Sequence, residues 1–117
     1  SKPKLQALRQ RGPHGQTAYR LSTLPAALVL VNPIHSARVE YIELELPESL
    51  GPTSTVQIED ASGRSVMVQM TTRDVFVPEQ TEVTSKARLA TFRARIPAGA
   101  CALYLVRELR GRAEGEV

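Results

Sequence analysis

Aromatic side chains are scarce in this chain of 117 residues, where they make up 4% of the total, and tryptophan is absent. A core with so few rings has to be aliphatic, built from valine, leucine, isoleucine and alanine. The single cysteine, Cys101, excludes an internal disulfide bond, and no Cys/His spacing of a structural zinc site occurs. Cys101 lies in an apolar run, which predicts a small core residue.

Long apolar runs and strong charge are also missing. No run approaches the roughly 20 residues of a membrane-spanning helix, so we expect no membrane span. The net charge is only +3, and the basic residues are divided between the two ends of the chain and one predicted strand. Nucleic-acid binding is disfavoured because the charge is not clustered and few rings are available for base stacking. The hydrophobic fraction of 42% is nevertheless sufficient for one folded core.

The hydrophobic pattern has the period of β-strands. The continuous apolar run Ala27 to Val31, bounded by Pro25 and Asn32-Pro33, predicts a strand buried on both faces. Alternation of apolar and polar residues predicts further strands at 38–46, 55–59, 65–71, 89–96 and 101–106, with a short apolar piece at 75–77. The strands at 55–59 and 65–71 form a predicted hairpin, whose turn places Gly63 at positive φ.

Six to seven short strands without a helical period predict an all-β fold, an antiparallel β-sandwich of immunoglobulin-like type. We expect a basic linker or tail over residues 1–24, the sandwich domain over 25–107 and a polar tail over 108–117. The predicted core consists of Leu28, Leu30, Ile42, Leu44, Val56, Ile58, Val66, Val68, Phe92, Ile96, Leu103 and Leu105.

The residues able to do chemistry form no complete constellation. His14 and His35 have no second ligand at metal spacing, and His35 is expected in an exposed turn. The strand carboxylates are Glu40, Glu43, Glu45 and Glu59. Glu43 and Glu45 share one face about 6 to 7 Å apart, which is within the range that separates the two catalytic carboxylates of a glycosidase. A solvated sheet face is the preferred interpretation, because nothing predicts a water-excluding cleft around them.

A row of arginines, Arg88, Arg93 and Arg95, has two interpretations. It could bind an anion, or it could be an exposed sheet face that pairs across strands with Glu43 and Glu45. The exposed sheet face is the preferred interpretation, and the sequence assigns no catalytic, no cofactor-binding and no metal-binding residue to this chain.

The order of these segments resembles a known family. The segments are Leu28-Val-Leu-Val-Asn-Pro-Ile34, the hairpin Val56-x-Ile58-x-Asp60-x-x-Gly63-x-x-Val66-x-x-Gln69, and the closing pair from Phe92-x-Ala94-x-Ile96-Pro97 to Tyr104-x-Val106. Together, over Ala27 to Val106, they resemble the first β-sandwich module of the glycoside hydrolase family 38 (class II) α-mannosidases. Ile34 stands where that family usually has leucine, and Ala98-Gly99-Ala100-Cys101 lacks the usual leucine and aromatic residue.

This resemblance implies a non-catalytic module of a retaining, zinc-dependent enzyme that acts on α-mannosides. The zinc ligands and the nucleophile of the family lie in an upstream domain, so zinc is implied for the parent enzyme and no cofactor for this chain. The expected partners are the catalytic domain and a neighbouring β domain of the same protein, in the secretory pathway or lysosome of a eukaryote. The alternative is a stand-alone immunoglobulin-like binding or structural subunit that docks a protein partner.

Overall fold

A computed structural model of the chain describes residues 4–5, 8–11, 17–75 and 85–110, with side chains for 17–74 and 86–110. Within these residues the fold contains ten strands and no helix. The strands are β1 (Lys4–Leu5), β2 (Leu8–Arg11), β3 (Thr17–Arg20), β4 (Ala26–Val31), β5 (Arg38–Glu45), β6 (Thr55–Asp60), β7 (Ser65–Val66), β8 (Val68–Val75), β9 (Ser85–Ile96) and β10 (Cys101–Leu109). In that part of the chain, no helix exists that could cross a membrane.

The strands form two five-stranded sheets, which confirms the all-β sandwich. Sheet A has the order β1-β4-β10-β6-β7, and sheet B has the order β2-β3-β5-β9-β8. Most neighbours are antiparallel as predicted, but β1 runs parallel to β4 and β3 runs parallel to β5. The two inner faces supply the core, since strands present alternate residues to opposite sides.

The segment before residue 25 differs most from its prediction. The sequence shows no sustained period there, yet the described part of this segment contributes β1, β2 and β3 to the two sheets. β1 and β2 are edge strands, and β3 lies between β2 and β5. Such short strands gain order from main-chain hydrogen bonds with a neighbouring strand, which need no side-chain alternation. The domain boundaries at residues 24/25 and 107/108 stay predictions, although β10 itself continues to Leu109.

The predicted hairpin strand at 65–71 is divided between the two sheets. Val66 pairs with Ile58 in sheet A, as predicted, and the turn that joins them has Gly63 at φ 87°. After Met67, which is 91% exposed, the chain enters sheet B as β8 and pairs with β9. Val66 and Val68 keep facing the core across this step, so the alternation survives while the strand changes sheets.

The core confirms most of the predicted residues and corrects the last strand. Ile42, Leu44 and Phe92 are at most 2% exposed, and Ala90 and Ala94 flank the Phe92 ring on the same face of β9. On β10 the assignment was wrong, because Tyr104 and Val106 point inward while Leu103 is 46% exposed and Leu105 half-buried. Phe76 and Val77 of the predicted apolar piece lie outside the described residues.

Candidate docking surface

Glu43 and Glu45 share the outer face of sheet B, but neither is a free carboxylate. Glu43 is 8% exposed, so its expected solvation was wrong. It lies on a central strand, opposite Ala18 of β3 and Thr91 of β9, and pairs with Arg73 at 2.8 Å. Glu45 pairs with Arg20 at 2.7 Å. Both carboxylates are therefore used within the sheet.

The other two strand carboxylates lie elsewhere. Glu40 has the opposite parity to Glu43 on β5, accepts a hydrogen bond from the Thr17 hydroxyl and pairs with Arg38 at 3.2 Å. Glu59 lies on β6 in sheet A, opposite Leu105. The four carboxylates thus lie at three separate places in the fold. Only Glu43 and Glu45 share a face, and each of these two is paired with an arginine.

The histidines form no site in the described residues. His35 is exposed in the turn after β4, as predicted, and His14 lies outside the described residues. Across residues 17–74 and 86–110, no three His, Cys, Asp or Glu side chains are grouped as metal ligands would be. That this chain holds no cofactor stays a prediction.

The three arginines do not form one row. Arg93 and Arg95 are exposed on the outer face of sheet B, but Arg88 has the opposite parity on β9. Arg88 lines an open groove of about 740 Å³, and its guanidinium donates to the carbonyl oxygens of Gly51, at 2.7 Å, and Ser54. Neither Arg93 nor Arg95 pairs with Glu43 or Glu45; they lie opposite Tyr41 and Val39.

Asn32, directly after β4, has a structural role. It is fully buried, and its Nδ2 donates to the carbonyl oxygens of Ser36, Ile96 and Pro97 at 2.8 to 3.2 Å. Its Oδ1 accepts the Ile34 N–H at 3.3 Å. Asn32 therefore joins the end of β4 to the turn between β9 and β10.

An apolar ladder lies on the outer face of sheet A, along β4 and β10. β4 was expected to be buried on both faces, but Val29 is 43% exposed and Val31 62% exposed. Cys101, expected in the core, is also exposed. The cross-strand pairs of this ladder are Val31 with Cys101, Val29 with Leu103, and Ala27 with Leu105. Three successive cross-strand pairs therefore place apolar side chains next to each other on this outer face.

A depression of about 370 Å³ adjoins the ladder. The apolar side chains of Ala27, Leu103 and Leu105 form one part of its lining, and the turn after β6 forms the other. Glu59 and Asp60 bring carboxylates to its margin. The outer face of sheet A therefore combines a flat apolar surface with a recess and has few charges, which is the composition of a packing surface rather than of a reactive site.

Sequence reasoning missed this surface because both alternating sets of β10 are apolar and both end in a charge. Cys101, Leu103 and Leu105 lead to Arg107, while Tyr104 and Val106 lead to Glu108. The sequence therefore does not show which of the two sets faces solvent. In the structure Tyr104 points inward, and its hydroxyl accepts a part-buried hydrogen bond from the backbone of the other sheet.

Comparison with known proteins adds no relative, since no protein-family model matches the chain and no curated protein matches it significantly.

Proposed function

We propose that this domain is a non-catalytic β-sandwich module of an α-mannosidase-like glycoside hydrolase. It supports the catalytic domain and packs against a neighbouring β domain of the same protein through the outer face of sheet A. The apolar ladder on that face is the observation that carries the docking role. The link to α-mannosidases depends on the resemblance over Ala27 to Val106.

The composition of the face favours a permanent neighbour over a passing partner. Val29 and Leu103 lie side by side at 43% and 46% exposure, and the charged groups stand at the margin of the surface. Permanent interfaces are more apolar than transient ones and resemble a divided core. A second β-sheet is the natural occupant, because sheets pack face to face through aliphatic side chains at a separation of about 10 Å.

The paired carboxylates support a non-catalytic role for this chain. A glycosidase needs one carboxyl group to donate a proton and another to attack or to activate water. Glu43 and Glu45 are instead each held by an arginine, at 2.8 and 2.7 Å. In the family that the chain resembles, zinc and the nucleophile lie in the upstream domain, so the contribution of this module would be packing.

Two valines of matched exposure test the docking face. Val29, on the outer face of sheet A, is 43% exposed, and Val39, on the outer face of sheet B, is 47% exposed. Val29→Glu should lower the unfolding temperature of the complete gene product more than that of this chain alone, because only the former buries the new charge. Val39→Glu should have the same small effect in both. Equal effects of Val29→Glu in both would contradict the proposal.

An activity assay separates the glycosidase part from the docking part. The isolated chain, with zinc and an aryl α-mannoside, should stay at background while the complete gene product turns the substrate over. Turnover by the isolated chain that is lost in Glu43→Gln would contradict the non-catalytic role. A gene product with no further domain, in which Val29→Glu releases a separate protein chain, would establish the stand-alone subunit instead.

A further inference from the structure

Two arginines on the outer face of sheet B form no ion pair within residues 17–74 and 86–110. Arg93 and Arg95 are exposed and point to the same side of β9, about 6.5 Å apart given the rise of a strand. Among the ion pairs that the described residues form, none involves either side chain. Each lies directly opposite an exposed residue of β5, Arg93 opposite Tyr41 and Arg95 opposite Val39.

The acids of this sheet do not neutralise the two arginines. Glu43 is held by Arg73 and Glu45 by Arg20, further along the same face. Glu40 points to the opposite face, where it pairs with Arg38. One end of the outer face therefore carries two positive charges that no described carboxylate pairs with. They lie beside an exposed ring and an exposed aliphatic side chain, with Tyr41 at 58% and Val39 at 47% exposure.

We propose that this end of the face, the Arg93 patch (Val39, Tyr41, Arg93 and Arg95), binds an acidic, extended peptide segment of a partner protein. The argument is charge complementarity together with spacing. Carboxylates on alternate residues of an extended segment repeat at about 6.5 Å, the same distance that separates the two arginines. Arginine forms two-pronged hydrogen bonds with carboxylates, which favours it over lysine at such a site.

The apolar half of the patch selects a peptide among anions. Val39 and Tyr41 lie on the same face as the two arginines and offer an aliphatic and an aromatic contact to the methylene groups of the acidic side chains and to the backbone of the segment. Nucleic acids are bound through longer rows of basic groups and several stacking rings, whereas this patch has two arginines and one ring. The patch lies on the opposite sheet from the apolar ladder, so this inference is independent of the proposed docking function.

Fluorescence anisotropy tests the patch with a short labelled peptide of alternating Glu and Thr with one central Leu. A peptide with Gln in place of every Glu is the first control, and a single-stranded oligonucleotide is the second. The unmodified chain should bind the Glu peptide in preference to both controls, and added salt should weaken the binding.

Reversing the two charges provides the decisive comparison. Arg93→Glu with Arg95→Glu should weaken binding of the Glu peptide about tenfold, equivalent to about 1.4 kcal/mol. Arg107→Glu with Arg110→Glu changes the net charge equally, at one exposed position on β10 of the other sheet and one directly after it, and should leave the affinity unchanged. Arg93→Gln with Arg95→Gln repeats the test if the reversed pair unfolds the chain. An equal loss in both double variants, equal binding of the Gln peptide, or tighter binding of the oligonucleotide would overturn the proposal.

Discussion

The Tyr104 hydroxyl, on sheet A, accepts a hydrogen bond from the backbone N–H of Arg95, on sheet B, at 3.1 Å. The last pair between β8 and β9 in this direction is Val68 with Phe92. Beyond it, at Arg95, β9 has no neighbouring strand on the β8 side within the described residues. The Tyr104 hydroxyl occupies the position that the missing strand leaves. It satisfies a backbone donor and ties the two sheets together, while its ring packs on Phe92 with centroids 5.0 Å apart.

Removing that hydroxyl should destabilise the chain without disturbing its packing. Tyr104→Phe is expected to lower the free energy of unfolding by about 1 to 2 kcal/mol, because the Arg95 N–H loses its partner in a part-buried position. Tyr41→Phe is the matched control. Its side chain is 58% exposed, so the change should stay within about 0.5 kcal/mol. Chemical denaturation measures both, and equal midpoints for the two variants would refute the bridging role of Tyr104.

The amide of Asn32 gives a second prediction, because its Nδ2 group donates to carbonyl oxygens that a carboxylate would repel. Asn32→Asp places a carboxylate against the carbonyl oxygens of Ser36, Ile96 and Pro97. Asn32→Ala removes the Nδ2 donor and the Oδ1 acceptor of the Ile34 N–H, for a loss of about 2 to 3 kcal/mol from a fully buried position, but it introduces no repulsive charge. We therefore expect Asn32→Asp to be the less stable variant at neutral pH, as measured by urea denaturation. The reverse order would show that the amide donor is not what holds this corner.

Asp60 predicts a pH dependence in the turn between β6 and β7. The Ser62 hydroxyl and the Arg64 N–H donate to Asp60 Oδ1 at 2.6 and 3.0 Å, and these bonds hold the pKa of the carboxyl below its ordinary value of 3.8. Because the folded-state pKa is lowered, the ionised carboxylate stabilises the fold above pH 3.8. This stabilisation is lost as the pH falls through the folded-state pKa.

The variant Asp60→Asn keeps an acceptor oxygen but removes the charge. The stability difference between the unmodified chain and Asp60→Asn should be constant near neutral pH and shrink below pH 3.8, which thermal unfolding across acidic buffers would measure. Asp74→Asn, at an exposed position of β8, serves as the control. A difference that grows toward acidic pH would have the wrong sign for this account.

The sequence was sufficient for those strands in which only one alternating set is apolar. On β9, Ala90, Phe92 and Ala94 alternate with polar residues, and the predicted inward face is the observed one. Neither β4 nor β10 has that contrast, because apolar residues occupy both sets. Their solvent side depends on which sheet covers them, a property of the assembled fold that no local pattern records.

Long-range placement explains the remaining differences. Glu43 is buried because β5 lies between β3 and β9 and because Arg73 reaches it from β8. The change of sheet after Val66 leaves the alternation intact, so the sequence reads as one strand where the fold has two. The candidate docking surface was missed for the same reason, since apolar residues on an outer face look like core residues until their neighbours are known.

Cys101 provides the most direct measurement of the central claim, that a neighbouring domain covers the outer face of sheet A. It is the only cysteine of this chain, and it is exposed within the apolar ladder, opposite Val31. Thiol alkylation followed by peptide mass spectrometry should find Cys101 fast-reacting in the isolated chain and protected in the complete gene product. Thr71→Cys in a Cys101→Ser background, exposed on the outer face of sheet B, should react at the same rate in both. Equally fast alkylation of Cys101 in both proteins would contradict the docking role of this face.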